Sequence, residues 1–254
     1  MTKENFPNTE TMAEEAYASW RAAEQLRLEN CEYDVAVIDF ETTGIKNPLD
    51  CEEHDEILSV SIIDQDGNIL LNTLCRPQRL TAWPEAQAIH GISPEMVKDQ
   101  PTFADIFPAV KEILYKSRVV IAYNIKFELK FLWGYDRKLG NPGGTQLIRN
   151  VVWGPDPMLM FPACIGVERW QRLTAAAKHF GYEFNAHDSL EDVRATLYCY
   201  RKILEYAENH PEKDDILRRG FLYNCGRRGR WIDYKDYTIG EDAFRYFMEE
   251  AAAV

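Results

Sequence analysis

Asp39 and Glu41 stand two residues apart at the end of a short apolar run, Val35-Ala36-Val37-Ile38. Side chains alternate along a strand, so both carboxylates project from one face while Phe40 points away. Two carboxylates a few ångströms apart at the end of a hydrophobic strand repel each other, and a divalent cation resolves that conflict. Two later segments bring further acid. Ala122-Tyr123-Asn124-Ile125-Lys126-Phe127-Glu128 follows a second apolar run and puts Glu128 near the start of a helix, with Phe127 and Phe131 forming its core side. His187-Asp188-Ser189-Leu190-Glu191-Asp192 opens a long helix, with Asp188 as its cap and Asp192 in its first turn. A carboxylate in a first turn is well placed to face a site at the edge of a sheet.

The elements that must position these groups follow from the pattern of the chain. Val35 to Ile38 reads as a strand buried on both faces. Two more strands are predicted at Ile57 to Ile63 and Ile69 to Leu74, joined by the hairpin signal Asp66-Gly67. Ser93-Pro94 and Thr102-Phe103-Ala104-Asp105 start helices, and Arg118 to Ala122 is a fourth, central strand. Helices are predicted over Lys126 to Tyr135, Val167 to His179 and Ser189 to Ala207, with a break at Gly140-Asn141-Pro142-Gly143-Gly144. The result is an α/β fold of ribonuclease H type: a mixed sheet, with a three-strand antiparallel meander plus parallel strands, flanked by helices. The division expected is an N-terminal helical extension over 1–32, a main domain over 33–209, and a basic, aromatic C-terminal extension over 210–254 that ends in a helix.

The chain has 254 residues, of which 46% are hydrophobic and 28% charged, enough for a sizeable core. Its 29 basic and 41 acidic residues give a net charge of -12, which excludes a chain-wide electrostatic grip on a polyanion. A nucleic-acid partner must be met by a local patch or by bound metal. Such a patch lies between Ile216 and Lys235, where Arg218, Arg219, Arg227, Arg228, Arg230 and Lys235 face one acid, Asp233. Phe221, Tyr223, Trp231 and Tyr234 are interleaved with these cations, a composition that suits stacking on single-stranded nucleic acid. The terminal extensions are also candidates for a protein partner or self-association. Six scattered cysteines without a Cys-x-x-Cys pair, no bilayer-length apolar run and an N-terminus unlike a secretory signal predict reduced thiols, no membrane and a cytoplasmic location. The acidic loop Asp50 to Glu56 reads as solvated surface, and Asp156 as a structural turn residue.

The sequence resembles the DEDDh group of 3′-to-5′ exonucleases, the family of the proofreading epsilon subunit of bacterial replicative DNA polymerase. The resemblance covers about residues 33 to 205. It rests on Asp39-Phe40-Glu41-Thr42-Thr43-Gly44, Ala88-Ile89-His90-Gly91-Ile92-Ser93, Asn124 to Glu128 and His187 to Asp192, in the family's order. It implies that Asp39, Glu41 and Asp192 ligate one metal, that Asp39 bridges to a second, and that Glu128 supports the second. Oxygen-only ligation favours Mg²⁺ or Mn²⁺ over zinc, and two such ions suit in-line phosphodiester hydrolysis. It also implies His187 as the general base, since imidazole exchanges protons near neutral pH. Thr42, Thr43, Asn124, His90, Arg227, Arg228 and Arg230 are the expected substrate contacts. The implied reaction is release of nucleoside 5′-monophosphates from the 3′ end of single-stranded nucleic acid, DNA more than RNA. The family carries Asp where this chain has Glu128. That departure keeps open a second reading, an exonuclease fold that binds nucleic acid or a partner protein without turnover.

Overall fold

β1 (Tyr33–Thr42) takes an interior position in the sheet because the middle of its apolar run has no exposed face. The computed structural model describes residues 29–46, 54–139 and 151–221. Within them the strands run in the order β3-β2-β1-β4. β2 (Ile57–Asp64) and β3 (Ile69–Leu74) complete an antiparallel meander with β1, and β4 (Ser117–Ile121) lies parallel to β1 on its other side. The meander turns as predicted at Asp66-Gly67. There the Asp64 carboxylate accepts the N–H groups of Asp66 and Asn68, both at 2.9 Å, and Gly67 adopts a φ of 86°. Past β4, the further parallel strand is reduced to a single bridge between Val120 and Trp153.

Three helices separate β3 from β4: α1 (Pro84–His90), α2 (Pro94–Val97) and α3 (Phe103–Tyr115). Thr102 and Asp105 start α3 with a reciprocal capping box. α4 (Ile125–Lys138) follows β4, and α5 (Pro157–Cys164), α6 (Leu173–His179), α7 (Ser189–Glu208) and α8 (Lys213–Gly220) complete the described fold. α7 packs across β1 and β2, while α4 also meets β1. Phe40 determines which way β1 faces. Its ring packs edge-on against Phe103 of α3 at 5.7 Å, and Phe103 stacks edge-on with Tyr135 of α4 at 4.6 Å. Burying Phe40 on that side sends Asp39 and Glu41 to the other.

The helix predicted from Val167 begins only at Leu173. Gly166 turns the chain with a φ of 66°, and the Tyr123 hydroxyl donates to the Gln171 carbonyl at 2.8 Å, fixing an extended approach that overrides local helix propensity. Packing against the main core continues beyond residue 209. Ile216 and Leu217 of α8 and the following Phe221 are buried in the main core, so the packed body runs at least to Phe221. The predicted N-terminal helix, the glycine-rich break and the final helix lie outside the described residues.

Candidate active site

The strand carboxylates sit where β1 leaves the sheet. The β1–β2 register shifts between Glu41 and Thr42, a bulge of the kind that re-aims side chains beside a site. Beyond it, the loop is held by its own polar groups. The Thr42 hydroxyl donates to the Gly44 carbonyl at 2.6 Å. The Thr43 hydroxyl donates to Asp55 at 2.9 Å and accepts the Glu56 N–H at 2.9 Å. Both threonines are buried, and their hydroxyl protons are used within the loop. Glu56 corrects the reading of a solvated acidic loop. Its buried carboxylate accepts the N–H groups of Gln78, Arg79 and Leu80 at 2.7, 3.0 and 2.9 Å. These partners lie 22 to 24 residues downstream, out of reach of any local sequence signal.

Asn124 and His187 are the two non-glycine residues with positive φ among the described residues, at 67° and 70°. Such left-handed backbone costs about 1–3 kcal/mol per residue and persists where its surroundings impose it. A carboxylate imposes it in each case. Asp156 accepts the Asn124 N–H at 3.1 Å and the Ile125 N–H at 3.0 Å, pinning the start of α4 four residues before Glu128. Asp156 is itself buried and also caps α5 through the Met158 N–H at 2.9 Å, so its structural role goes well beyond a turn. At the other element, Asp192 accepts the His187 N–H at 3.0 Å, and Asp188 caps α7 through the N–H groups of Leu190 and Glu191.

The acidic groups then converge. Glu41, His187 and Asp192 each bring a ligand atom to within 4.8 Å of the other two. Burial pushes the Glu41 carboxyl up to about 8, helped by the charges of Asp192 and Asp188. Burial likewise raises Asp192 to about 7, against the opposing His187 N–H bond. Asp39 is held well above the carboxylate range by burial first, then by Asp192, Glu128, Glu41 and Asp188. Glu128 is raised by burial, with Asp156 and Glu41 adding to it. Its Oε2 is buried without a hydrogen-bond partner. Among the described residues, none of these four carboxylates forms an ion pair with Lys or Arg. Four crowded carboxylates, one with an orphaned oxygen, fit a site for hard divalent cations.

The Exonuclease family (RNase_T) matches residues 36–200. The chain belongs to that family. It is 33% identical over 176 residues to the uncharacterized exonuclease CP81 of Escherichia phage 186, a match spanning 65% of this chain and 86% of that one. It is also 33% identical over 100 residues to the DNA polymerase III subunit epsilon of Rickettsia conorii, covering 38% of this chain and 41% of that protein. Among solved structures, E. coli Exonuclease I in complex with a dT13 oligonucleotide shares the fold, with a TM-score of 0.54 and 20% identity. That alignment covers 72% of this chain and 45% of Exonuclease I. The resemblance to the epsilon group read from the four motifs is thereby established, and so is the ribonuclease H-like sheet.

In this exonuclease, the motif around His90 supports the site from below. Gly91, at a φ of 76°, turns the chain so that the Ile92 N–H reaches His90 Nδ1 at 3.0 Å. Nδ1 is therefore the acceptor, and Nε2–H donates to the Thr42 carbonyl at 3.2 Å. Burial, and secondarily the nearby His187, lower the pKa of His90 against the pull of that bond. Both ring nitrogens are thus engaged, Nε2 with the last residue of β1 and Nδ1 within the turn that follows His90. Arg227, Arg228 and Arg230 lie outside the described residues. Among the described residues, no helix is long and apolar enough to cross a membrane.

Proposed function

We propose that this chain is a metal-dependent 3′-to-5′ exonuclease that releases nucleoside 5′-monophosphates from single-stranded nucleic acid, with DNA as its substrate. The observation that carries the reading is the meeting of Asp39, Glu41, Glu128 and Asp192 with His187 at their exposed rim. Asp39, Glu41 and Asp192 would hold one Mg²⁺ or Mn²⁺, Asp39 would be shared with a second, and Glu128 would serve the second with its otherwise partnerless oxygen. When bound, the cations supply acidification of water and neutralisation of charge on the phosphate. His187 does the proton work. Its backbone is fastened to Asp192 while its side chain is open to solvent, so it can take a proton at the carboxylates and return it to bulk water. Asn124, at the left-handed start of α4, and the arginines at 227, 228 and 230 would contact the substrate. The cytoplasm is the matching compartment, because Cys75, Cys164 and Cys199 are free thiols.

The test uses one oligonucleotide sequence, made as single-stranded DNA and as RNA and labelled at either the 5′ or the 3′ end. With Mg²⁺ or Mn²⁺, the 5′-labelled DNA should shorten stepwise while the 3′ label appears at once as mononucleotide. EDTA should stop both. Binding without shortening in any metal would overturn the enzymatic reading and leave a module that binds without turnover.

A further inference from the structure

The β1–β2 register puts Ser61 opposite Asp39 and Ser59 opposite Glu41. Residues directly opposite share a face, so two hydroxyls line up beside the two strand carboxylates in a strand otherwise built largely of Ile, Leu and Val. Both hydroxyls meet a third. Ser189, the first residue of α7, lies 2.7 Å from Ser59 Oγ and 2.8 Å from Ser61 Oγ. All three serines are buried, Ser61 completely. Each hydroxyl has one proton to give, and that count fixes the direction of the bonds. Ser61 donates to Asn72 Oδ1 at 3.1 Å, so Ser189 must donate to Ser61, and Ser59 to Ser189. A directed chain, Ser59 to Ser189 to Ser61 to Asn72, thus fastens the start of α7 to β2 and β3.

Ser189 precedes Asp192 by three residues, so one helical turn links this anchor to the site. Within that turn the Asp192 N–H donates to the Asp188 carbonyl at 2.8 Å, and the Asp192 carboxylate holds the His187 N–H. Repulsion among Asp39, Glu41 and Asp192 acts to push the helix start away from the sheet. Apolar packing alone is non-directional and lets a helix slide or rotate, whereas two directed hydrogen bonds to one Oγ fix its place. We propose that Ser59, Ser61 and Ser189 are positioning residues that set the distance between Asp39/Glu41 and Asp192/His187, and through it the affinity for divalent cation. The proposal rests on the metal-site reading above.

The deciding measurement is Mn²⁺ binding to the full chain by titration calorimetry, without nucleic acid or turnover. Ser189→Ala removes both bonds and should weaken Mn²⁺ binding roughly 10–100-fold, the usual consequence of losing a group that orients metal ligands. Ser59→Ala removes one bond, and should weaken binding less. Ser117→Ala is the comparison: Ser117 pairs with Tyr33 at the start of β1, and its buried hydroxyl donates to the Ile113 carbonyl at 2.7 Å. It should lower the Tm while leaving the Mn²⁺ Kd unchanged. Wild-type Kd in Ser189→Ala, or an equal weakening in Ser117→Ala, overturns the proposal. Should Ser189→Ala fail to fold, an unchanged Kd in folded Ser59→Ala overturns it equally. If the wild type binds no Mn²⁺ at all, the metal-site reading itself falls and takes this proposal with it.

Discussion

Raising the pH of the metal-free protein from 5 to 8 should destabilise it, and divalent cation should reverse the effect. Glu41 is raised from 4.5 to about 8 in the fold, and Asp192 from 3.8 to about 7. Between the unfolded and folded values the native state binds more protons than the unfolded chain, so stability falls as pH rises through that window. One pKa unit corresponds to about 1.4 kcal/mol, so each group taken alone costs the fold about 4 kcal/mol by pH 8. Part of Glu41's shift comes from the charge of Asp192, so the two costs do not simply add. For a chain of this size, roughly 2–4 °C in Tm accompanies each kcal/mol, giving a drop of about 10 °C. The assay is thermal unfolding in EDTA across this range, repeated with excess Mg²⁺ or Mn²⁺. Cation should restore the Tm at pH 8 and change little at pH 5, where the carboxyls keep their protons. Glu41→Gln should raise the metal-free Tm at pH 8 and shrink the increment from metal. A Tm in EDTA that is flat or rising from pH 5 to 8, or an increment from metal that ignores pH, would refute the electrostatic account of the site.

His187→Ala should lower turnover about 10²–10⁴-fold while leaving Mn²⁺ binding intact, and the deficit should narrow at high pH, where hydroxide needs no base; unchanged turnover, or a deficit independent of pH, would remove His187 from the mechanism. Glu128→Ala should abolish cleavage, whereas Glu128→Asp should preserve or raise it at limiting Mg²⁺; Glu128→Gln should stabilise the metal-free protein at neutral pH, because the amide needs no proton to stay neutral in the burial that raises the Glu128 carboxyl. A metal titration in which Glu128→Ala cleaves like the wild type would reduce the site to three carboxylates. Replacing Arg227, Arg228 and Arg230 together with Ala should raise KM and flatten its dependence on salt, and an unchanged salt slope would take these residues out of phosphate binding.

The acidic site was legible in the sequence because each of its members stands on a strongly patterned element. Asp39 and Glu41 follow a run of apolar residues, Asp192 sits one turn inside a capped helix, and Glu128 follows a strand and its helix start. The residues that hold those members in place were not legible, since their partners are remote in the chain. Glu56 reaches Gln78, Arg79 and Leu80, and Ser189 lies 128 to 130 residues from Ser61 and Ser59. A serine in a strand carries no pattern that announces a helix above it. The late start of α6 escaped for a related reason: Glu168 to Arg172 suit a helix locally, and the hydroxyl of Tyr123, between β4 and α4, holds the Gln171 carbonyl.

α8 gives the C-terminal side of the chain a mechanical connection to the chemistry. The Gly220 carbonyl accepts the Asp156 N–H at 2.8 Å, and Gly220 packs so tightly there that a Cβ would come within 2.4 Å of Pro155. Asp156 in turn grips the first amides of α4, so the load path from residue 220 to Glu128 passes through one carboxylate. A tug on the chain just beyond Phe221 is therefore delivered to the helix that carries Glu128. A clone trimmed at residue 209 would lose that strut together with Ile216, Leu217 and Phe221, whereas one ending after 221 keeps the lever attached to its fulcrum.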